Sequence, residues 1–116
     1  MRLVFRNLFN LYALDAKSEE GLDLLSSELL RAGPAYQISD QDLALALKTF
    51  AHFEYTENQD CLELLIKQAI RQAHEMDLSC LATSLKAAAD LSILNPTLLA
   101  ISRERILREA DRRGNH

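Results

Sequence analysis

The 116-residue sequence has no Trp, three Gly, two Pro and two Cys. So few turn formers exclude the many tight reversals of a β-sandwich or β-barrel. Cys61 and Cys80 cannot make a disulfide framework, and no Cys-x-x-Cys pair points to zinc or thiol redox chemistry. Both lie in Leu-rich stretches, where a thiol serves as a small apolar side chain. No apolar run reaches the roughly 18–20 residues that cross a bilayer, so direct membrane insertion is not expected. A surplus of positive charge is also missing: 13 Lys and Arg stand against 17 Asp and Glu, a net charge of −4. This excludes charge-driven nucleic-acid binding by the whole surface.

Signs of catalysis are scarce too. The sequence has no Gly-rich phosphate loop, no Gly-x-Ser-x-Gly elbow, and no His-x-x-x-His or Glu-x-x-His spacing. His52 reads as a surface residue at a helix end. Glu19, Glu20, Asp23, Asp60 and Glu63 concentrate in the first turns of helices, where the helix dipole accounts for them. A non-catalytic protein without metal or cofactor is therefore expected.

Good helix formers dominate what remains: Leu, Ala, Glu, Gln, Lys and Arg. Phe5, Leu8, Phe9 and Tyr12 mark one face of a first helix over residues 3–14. Ser18 can cap a second helix, which runs to about Ala32 and is stopped by Gly33-Pro34. Ser39, with Asp42 three residues on, starts a third helix whose stripe is Leu43, Ala46, Leu47 and Phe50. Asn58 starts the fourth, with Leu62, Leu65, Ile66, Ala69, Ile70 and Ala73 in helical period. Asp77 can cap the fifth, whose expected buried face is Leu78, Leu81, Ala82, Leu85, Ala88 and Ala89. Asn95-Pro96 starts the sixth: Asn caps, and Pro in the first position loses no needed hydrogen bond.

These six helices repeat. Leu47-Lys48-Thr49-Phe50-Ala51 resembles Leu85-Lys86-Ala87-Ala88-Ala89 at an offset of 38, and the same step back from Leu47 reaches Phe9. Leu24-Leu25 and Leu64-Leu65 are 40 apart, whereas Leu62 and Leu98 are 36 apart, as variable loops allow. The expected fold is an all-α solenoid of three helix-turn-helix repeats in a single domain spanning 1–116, with repeats near 3–35, 39–76 and 77–113. A helical pair alone leaves its apolar face open, so stacking makes the core.

Asp42-Leu43-Ala44-Leu45-Ala46-Leu47-Lys48-Thr49-Phe50-Ala51-His52-Phe53 resembles the first helix of octotricopeptide and heptatricopeptide repeats. Those units read Asp-Leu-Ala-x-x-Leu-x-Ala-Phe-Ala-Lys-Leu and continue into a Leu-rich second helix. Residues 77–91 follow the pattern more loosely, and Leu11-Tyr12-Ala13-Leu14 is similar to its core. The resemblance implies an organellar RNA-binding repeat, related to FAST-kinase-like and RAP-domain proteins, and a mitochondrial location, with the plastid as the alternative. This chain departs from those relatives in being short and acidic and in having no room for a RAP domain.

Two sets of RNA-contacting candidates follow. Asn10, Lys48 and Lys86 each come just after the apolar residue that marks the repeat, so they form one polar series on the stack. Arg103, Arg105, Arg108, Arg112 and Arg113 give residues 103–113 a net charge of +2, whereas residues 40–63 carry −5. Arg suits phosphate because its fork donates in pairs, although basic residues late in a helix also suit its dipole. Arg2 and Arg6, with no acid before Asp15, give the N-terminus the look of a mitochondrial presequence, but the repeat register argues for its retention. Val4, Phe5, Leu8, Phe9 and Tyr12 supply more apolar surface than one helix face uses, so this edge is expected to pack on a neighbouring protein. The combined expectation is a subunit of an organellar ribonucleoprotein, most concretely a mitochondrial ribosome, touching neighbouring proteins and rRNA. The alternative is a protein-binding accessory subunit of an organellar membrane complex without RNA contact.

Overall fold

A computed structural model describes residues 2–33 and 36–114, without the side chains of 113 and 114. Among the described residues there are six helices and no strand: α1 (Arg2–Leu14), α2 (Glu19–Ala32), α3 (Asp40–His52), α4 (Gln59–Gln72), α5 (Leu78–Asp90) and α6 (Pro96–Gly114). None of these helices is long and apolar enough to cross a membrane.

Local chemistry sets most helix starts. Ser18 Oγ accepts from Gly21 N at 3.0 Å, Ser39 Oγ from Asp42 N at 3.2 Å, and Asn58 Oδ1 from Cys61 N at 3.1 Å. Asn95 Oδ1 accepts from Thr97 N at 2.7 Å. Each bond satisfies a backbone donor that the helix leaves open. Asp77 precedes α5 but makes no side-chain cap bond. Its carboxylate accepts the Ser79 hydroxyl instead, and that bond holds the acid below its ordinary pKa.

The odd-numbered helices end in one common way. Asp15, Glu54 and Ser92 have φ of 50°, 52° and 60°, the left-handed region, though none is Gly. Asp15 N donates to Tyr12 O and Ala16 N to Leu11 O; Glu54 N donates to Ala51 O and Tyr55 N to Phe50 O. Ser92 N and Ile93 N repeat the pair with Ala89 O and Ala88 O. This is the Schellman arrangement, in which two crossing bonds take up the last carbonyls of the helix. In α3 the apolar contact that goes with it is Tyr55 against Phe50, with ring centroids 5.4 Å apart.

These ends align the helices by backbone geometry. Asp15 to Glu54 is 39 residues and Glu54 to Ser92 is 38. Leu8, Leu47 and Leu85 are then equivalent, and the uniform step of 38 from Leu47 to Phe9 is corrected by one residue. One residue turns a helix by about 100°, which is why Leu8 is fully buried while Phe9 is 55% exposed.

The helices form two layers. α3 packs on α1 to one side and α5 to the other, while α4 packs on α2 and α6 behind them. Leu43, Ala46, Leu47 and Phe50 of α3, and Leu62, Leu65 and Ala69 of α4, make the centre of the core. The α5 face departs from the expected one. Leu81, Ser84, Ala87 and Ala88 are buried, Leu78 and Leu85 are partly buried, and Ala82 and Ala89 are exposed. The side of α5 that meets α3 is built from small residues, and the Leu78–Ala82–Leu85–Ala89 stripe looks away from it.

Side chains on the even layer tie successive pairs together. Tyr55 Oη donates to Asp23 Oδ1 at 2.5 Å and lies 3.1 Å from Ser26 Oγ, which accepts from Asn58 Nδ2. Gln68 Nε2 donates to Tyr36 O and Arg105 Nη1 to Ala73 O, so the donors and the acceptors are each separated by 37 residues. Asn58 and Asn95, the caps of α4 and α6, are also 37 apart. Leu62 therefore matches Leu99, not Leu98.

Burial pushes the Cys61 thiol up to about 12, and burial with the bond to Asp23 pushes the Tyr55 phenol up to about 12. Both groups ionise earlier in the unfolded chain, near the ordinary 8.5 and 10. Their contribution is complete below those values and is lost as pH rises towards 12. Urea unfolding followed by circular dichroism should show stability falling from about pH 9 upward. Cys61→Ala combined with Tyr55→Phe should flatten that fall; an unchanged slope would contradict the assignment.

Candidate nucleic-acid interface

The outer surface of the α1–α3–α5 layer carries a groove of about 290 Å³. Lys48 and Lys86 both line it, with Tyr12, His52 and Thr83. Lys48 Nζ lies 4.7 Å from the centroid of the Tyr12 ring, a cation held over a π face. Among the described residues Lys48 makes no ion pair, whereas Lys86 Nζ is 3.1 Å from Asp90 Oδ2. His52 Nε2 is 2.7 Å from Asp15 Oδ1, and its ring stands edge-on to Tyr12 at 5.0 Å. The His52–Asp15 contact joins the ends of α1 and α3.

Chemically the groove offers two ammonium groups, a phenol, an imidazole, a hydroxyl and the Asp90 carboxylate on a solvent-open surface. The ammonium groups can meet phosphate, and the aromatic rings can meet a base face. The Lys86–Asp90 and His52–Asp15 contacts moderate the charge. Among the described residues no group of three His, Cys, Asp or Glu is arranged to hold a metal.

Asn10 lies outside this groove. It is exposed beside Arg2, Arg6 and Phe9 in a separate depression between α1 and α3. With the helix ends aligned, the counterpart of Lys48 and Lys86 on α1 is Phe9, so Asn10 is one position out of the series. Arg2 and Arg6 add two cations beside Asn10 that the presequence-like reading of the N-terminus left out of the interface.

The C-terminal arginines do not converge. Arg103 and Arg108 are exposed, and Arg112 Nη1 lies 3.8 Å from Glu109 Oε1 on its own helix. Arg105 is half-buried and spends Nη1 on Ala73 O at 3.0 Å, closing the end of α4. At about 100° per residue, Arg105, Arg108 and Arg112 share one side of α6 and Arg103 points to the opposite one. The Arg113 side chain lies outside the described residues. All five belong to α6, in the layer behind Lys48 and Lys86.

Val4, Phe5 and Leu8 are buried in the chain's own core at 8%, 4% and 0% exposure. They belong to the core beneath α1, so of the five α1 residues expected at a protein interface only Phe9 and part of Tyr12 face outward.

No protein-family model matches the chain, and no curated protein or solved structure is significantly similar to it.

Tyr12, His52 and Arg105 are the residues whose roles sequence reasoning missed. Tyr12 and His52 meet only across α1 and α3. Arg105 carried one available signal: it sits 37 residues after Gln68, the same step that separates Asn58 and Asn95. Arg105→Ala should cost about 1 kcal/mol of stability in urea titration, because it strips a charged donor from a backbone carbonyl. Arg108→Ala should stay within about 0.5 kcal/mol, and equal losses would contradict the distinction.

Proposed function

We propose that this chain is an α-solenoid of three helix-turn-helix repeats that serves, without catalysis, as a subunit of an organellar ribonucleoprotein. A mitochondrial ribosome is the most concrete host. The observation that carries the reading is the pairing of Lys48 and Lys86, equivalent residues of successive helices, along one open groove with Tyr12 and His52. The repeat reading is supported by the alternating layers, the common ends of α1, α3 and α5, and the matched Gln68 and Arg105 bonds. The organellar host follows from the octotricopeptide-like helix pattern.

The interface is small. Three repeats present two lysines and a few rings, so the chain contacts RNA as one member of an assembly, not as an independent reader of sequence. Its contacts are electrostatic and stacking, which carry little base specificity. The balance of Lys86 with Asp90 and His52 with Asp15 favours a second reading, an accessory subunit that binds only protein.

Fluorescence anisotropy with a labelled single-stranded oligouridine separates the two. Lys48→Glu with Lys86→Glu should weaken binding at least about tenfold and reduce the log–log salt slope by about 0.7 for each lysine. Arg105→Ala should leave the slope unchanged. Absence of binding at low salt, or a slope indifferent to both lysines, would favour the protein-only subunit.

A further inference from the structure

The first half of α1 carries charge of one sign: Arg2 and Arg6 are followed by no acid before Asp15. Arg2, Arg6 and Phe9 fall within an arc of about 60° at roughly 100° per residue. Two guanidinium groups and a phenyl ring therefore share one face of the helix. All three side chains are exposed, Phe9 to 55%. A single exposed Phe is ordinary; its company is what matters here.

Arg2, Arg6, Phe9 and Asn10 line one depression of about 480 Å³, with Asp42 and Leu45 of α3 across from them. Among the described residues neither arginine makes an ion pair, and Asp42 makes none either. The balance is two cations to one acid. The Lys48–Lys86 groove has the same excess, since Asp90 is its acid. Beside Arg71 the order is reversed, with Asp40 and Glu75 against one cation.

The depression adjoins the lysine groove. Phe9 and Tyr12 are three residues apart on α1, as are Leu45 and Lys48 on α3, and residues at that spacing are neighbours on a helix surface. Phe9 and Leu45 line the depression, Tyr12 and Lys48 the groove. Together they make one strip along the α1–α3 junction. From Arg2 to Tyr12 it runs about 15 Å, room for about four stacked nucleotides at roughly 3.4 Å each. Within the strip the Tyr12 face is taken by Lys48 Nζ, 4.7 Å from the ring centroid. Phe9 is the ring left open.

We infer that Arg2, Arg6 and Phe9 form a second nucleotide subsite for single-stranded RNA. The arginines hold a backbone phosphate and the adjacent base stacks on Phe9. The strand then continues past Tyr12 to Lys48 and Lys86. An Arg fork donates to phosphate in pairs, and every base has a π face, so the subsite adds affinity without reading sequence. RNA fits better than an acidic peptide, whose carboxylates would engage the arginines but leave Phe9 uncovered. The inference rests on the RNA reading of the lysine groove and adds to it a site on α1.

The test is fluorescence anisotropy of the full chain with labelled oligouridine, among variants of unchanged circular dichroism. Arg2→Glu with Arg6→Glu should weaken binding at least about tenfold and lower the log–log salt slope by about 0.7 for each arginine. Arg103→Glu with Arg108→Glu makes the same change of net charge on α6. It should weaken binding less than about threefold, because distant exposed charges are screened. Phe9→Ala should cost at least about fivefold at an unchanged slope, the loss of one stacked base. Phe9→Trp, in a chain with no other Trp, supplies a direct signal: oligouridine should quench its fluorescence and polyglutamate should not.

Equal weakening by the two arginine pairs, or full affinity in Phe9→Ala, would overturn the subsite. Equal quenching by polyglutamate would overturn it in favour of an acidic peptide. Normal binding by the Arg2, Arg6 and Phe9 variants, with loss in Lys48→Glu and Lys86→Glu, would remove the subsite and leave the RNA reading. Binding that needs Arg2, Arg6 and Phe9 but neither lysine would support the subsite and remove the lysine groove. No binding of oligouridine by the unaltered chain would remove both.

Discussion

Burial of α3 between α1 and α5 is the constraint on which the rest of the structure depends. Leu43, Ala46, Leu47 and Phe50 are withdrawn from solvent completely, and no single pair of helices could do that. Each fully buried aliphatic or aromatic side chain contributes roughly 1.5–3 kcal/mol. A helix of 13 residues is marginal in isolation. It is therefore the packing on both flanks that holds α3 as a helix, and α3 in turn positions Lys48 and His52 on the outer surface. The groove exists because the helices beneath it are packed.

Polar contacts then set how successive pairs meet. Apolar packing alone tolerates some sliding, because Leu and Ala surfaces are smooth and their attraction is non-directional. The Tyr55–Asp23–Ser26–Asn58 cluster and the Gln68 and Arg105 bonds to backbone carbonyls do not tolerate it. Each joins a side chain of one pair to a fixed point of the pair before it. This explains why Arg105 serves structure although its composition-level neighbourhood suggested a phosphate contact. A helix end with open carbonyls is a ready acceptor for a guanidinium.

Division of the surface follows from the same stacking. The two lysines line the outer groove of the odd helices. Both ends of the molecule, by contrast, mix exposed apolar and polar side chains: Leu3, Asn7, Asn10 and Leu14 on α1, and Leu99, Arg103 and Ile106 on α6. A net charge of −4 therefore says little about any one region. The acidic stretch over residues 40–63 and the lysine groove share α3, and it is the direction of each side chain that separates them.

Sequence by itself determined the number of helices, the caps that start four of them, and the faces of α3 and α4. Caps at Ser18, Ser39, Asn58 and Asn95 are local interactions spanning two or three residues, so they are written in neighbouring letters. The Leu-rich stripes of α3 and α4 are legible because a helix packed on two sides leaves a wide apolar face. Only the tertiary structure decided the register of α1, the buried face of α5 and the task of Arg105. The helix ends at Asp15, Glu54 and Ser92 carry no glycine to announce them, so a one-residue shift of α1 was invisible. In α5 the small residues Ser84, Ala87 and Ala88 lie inside while Ala82 and Ala89 face outward. Alanine has no polarity to tell the two apart; only the presence of α3 on one side, and of no helix on the other, does so.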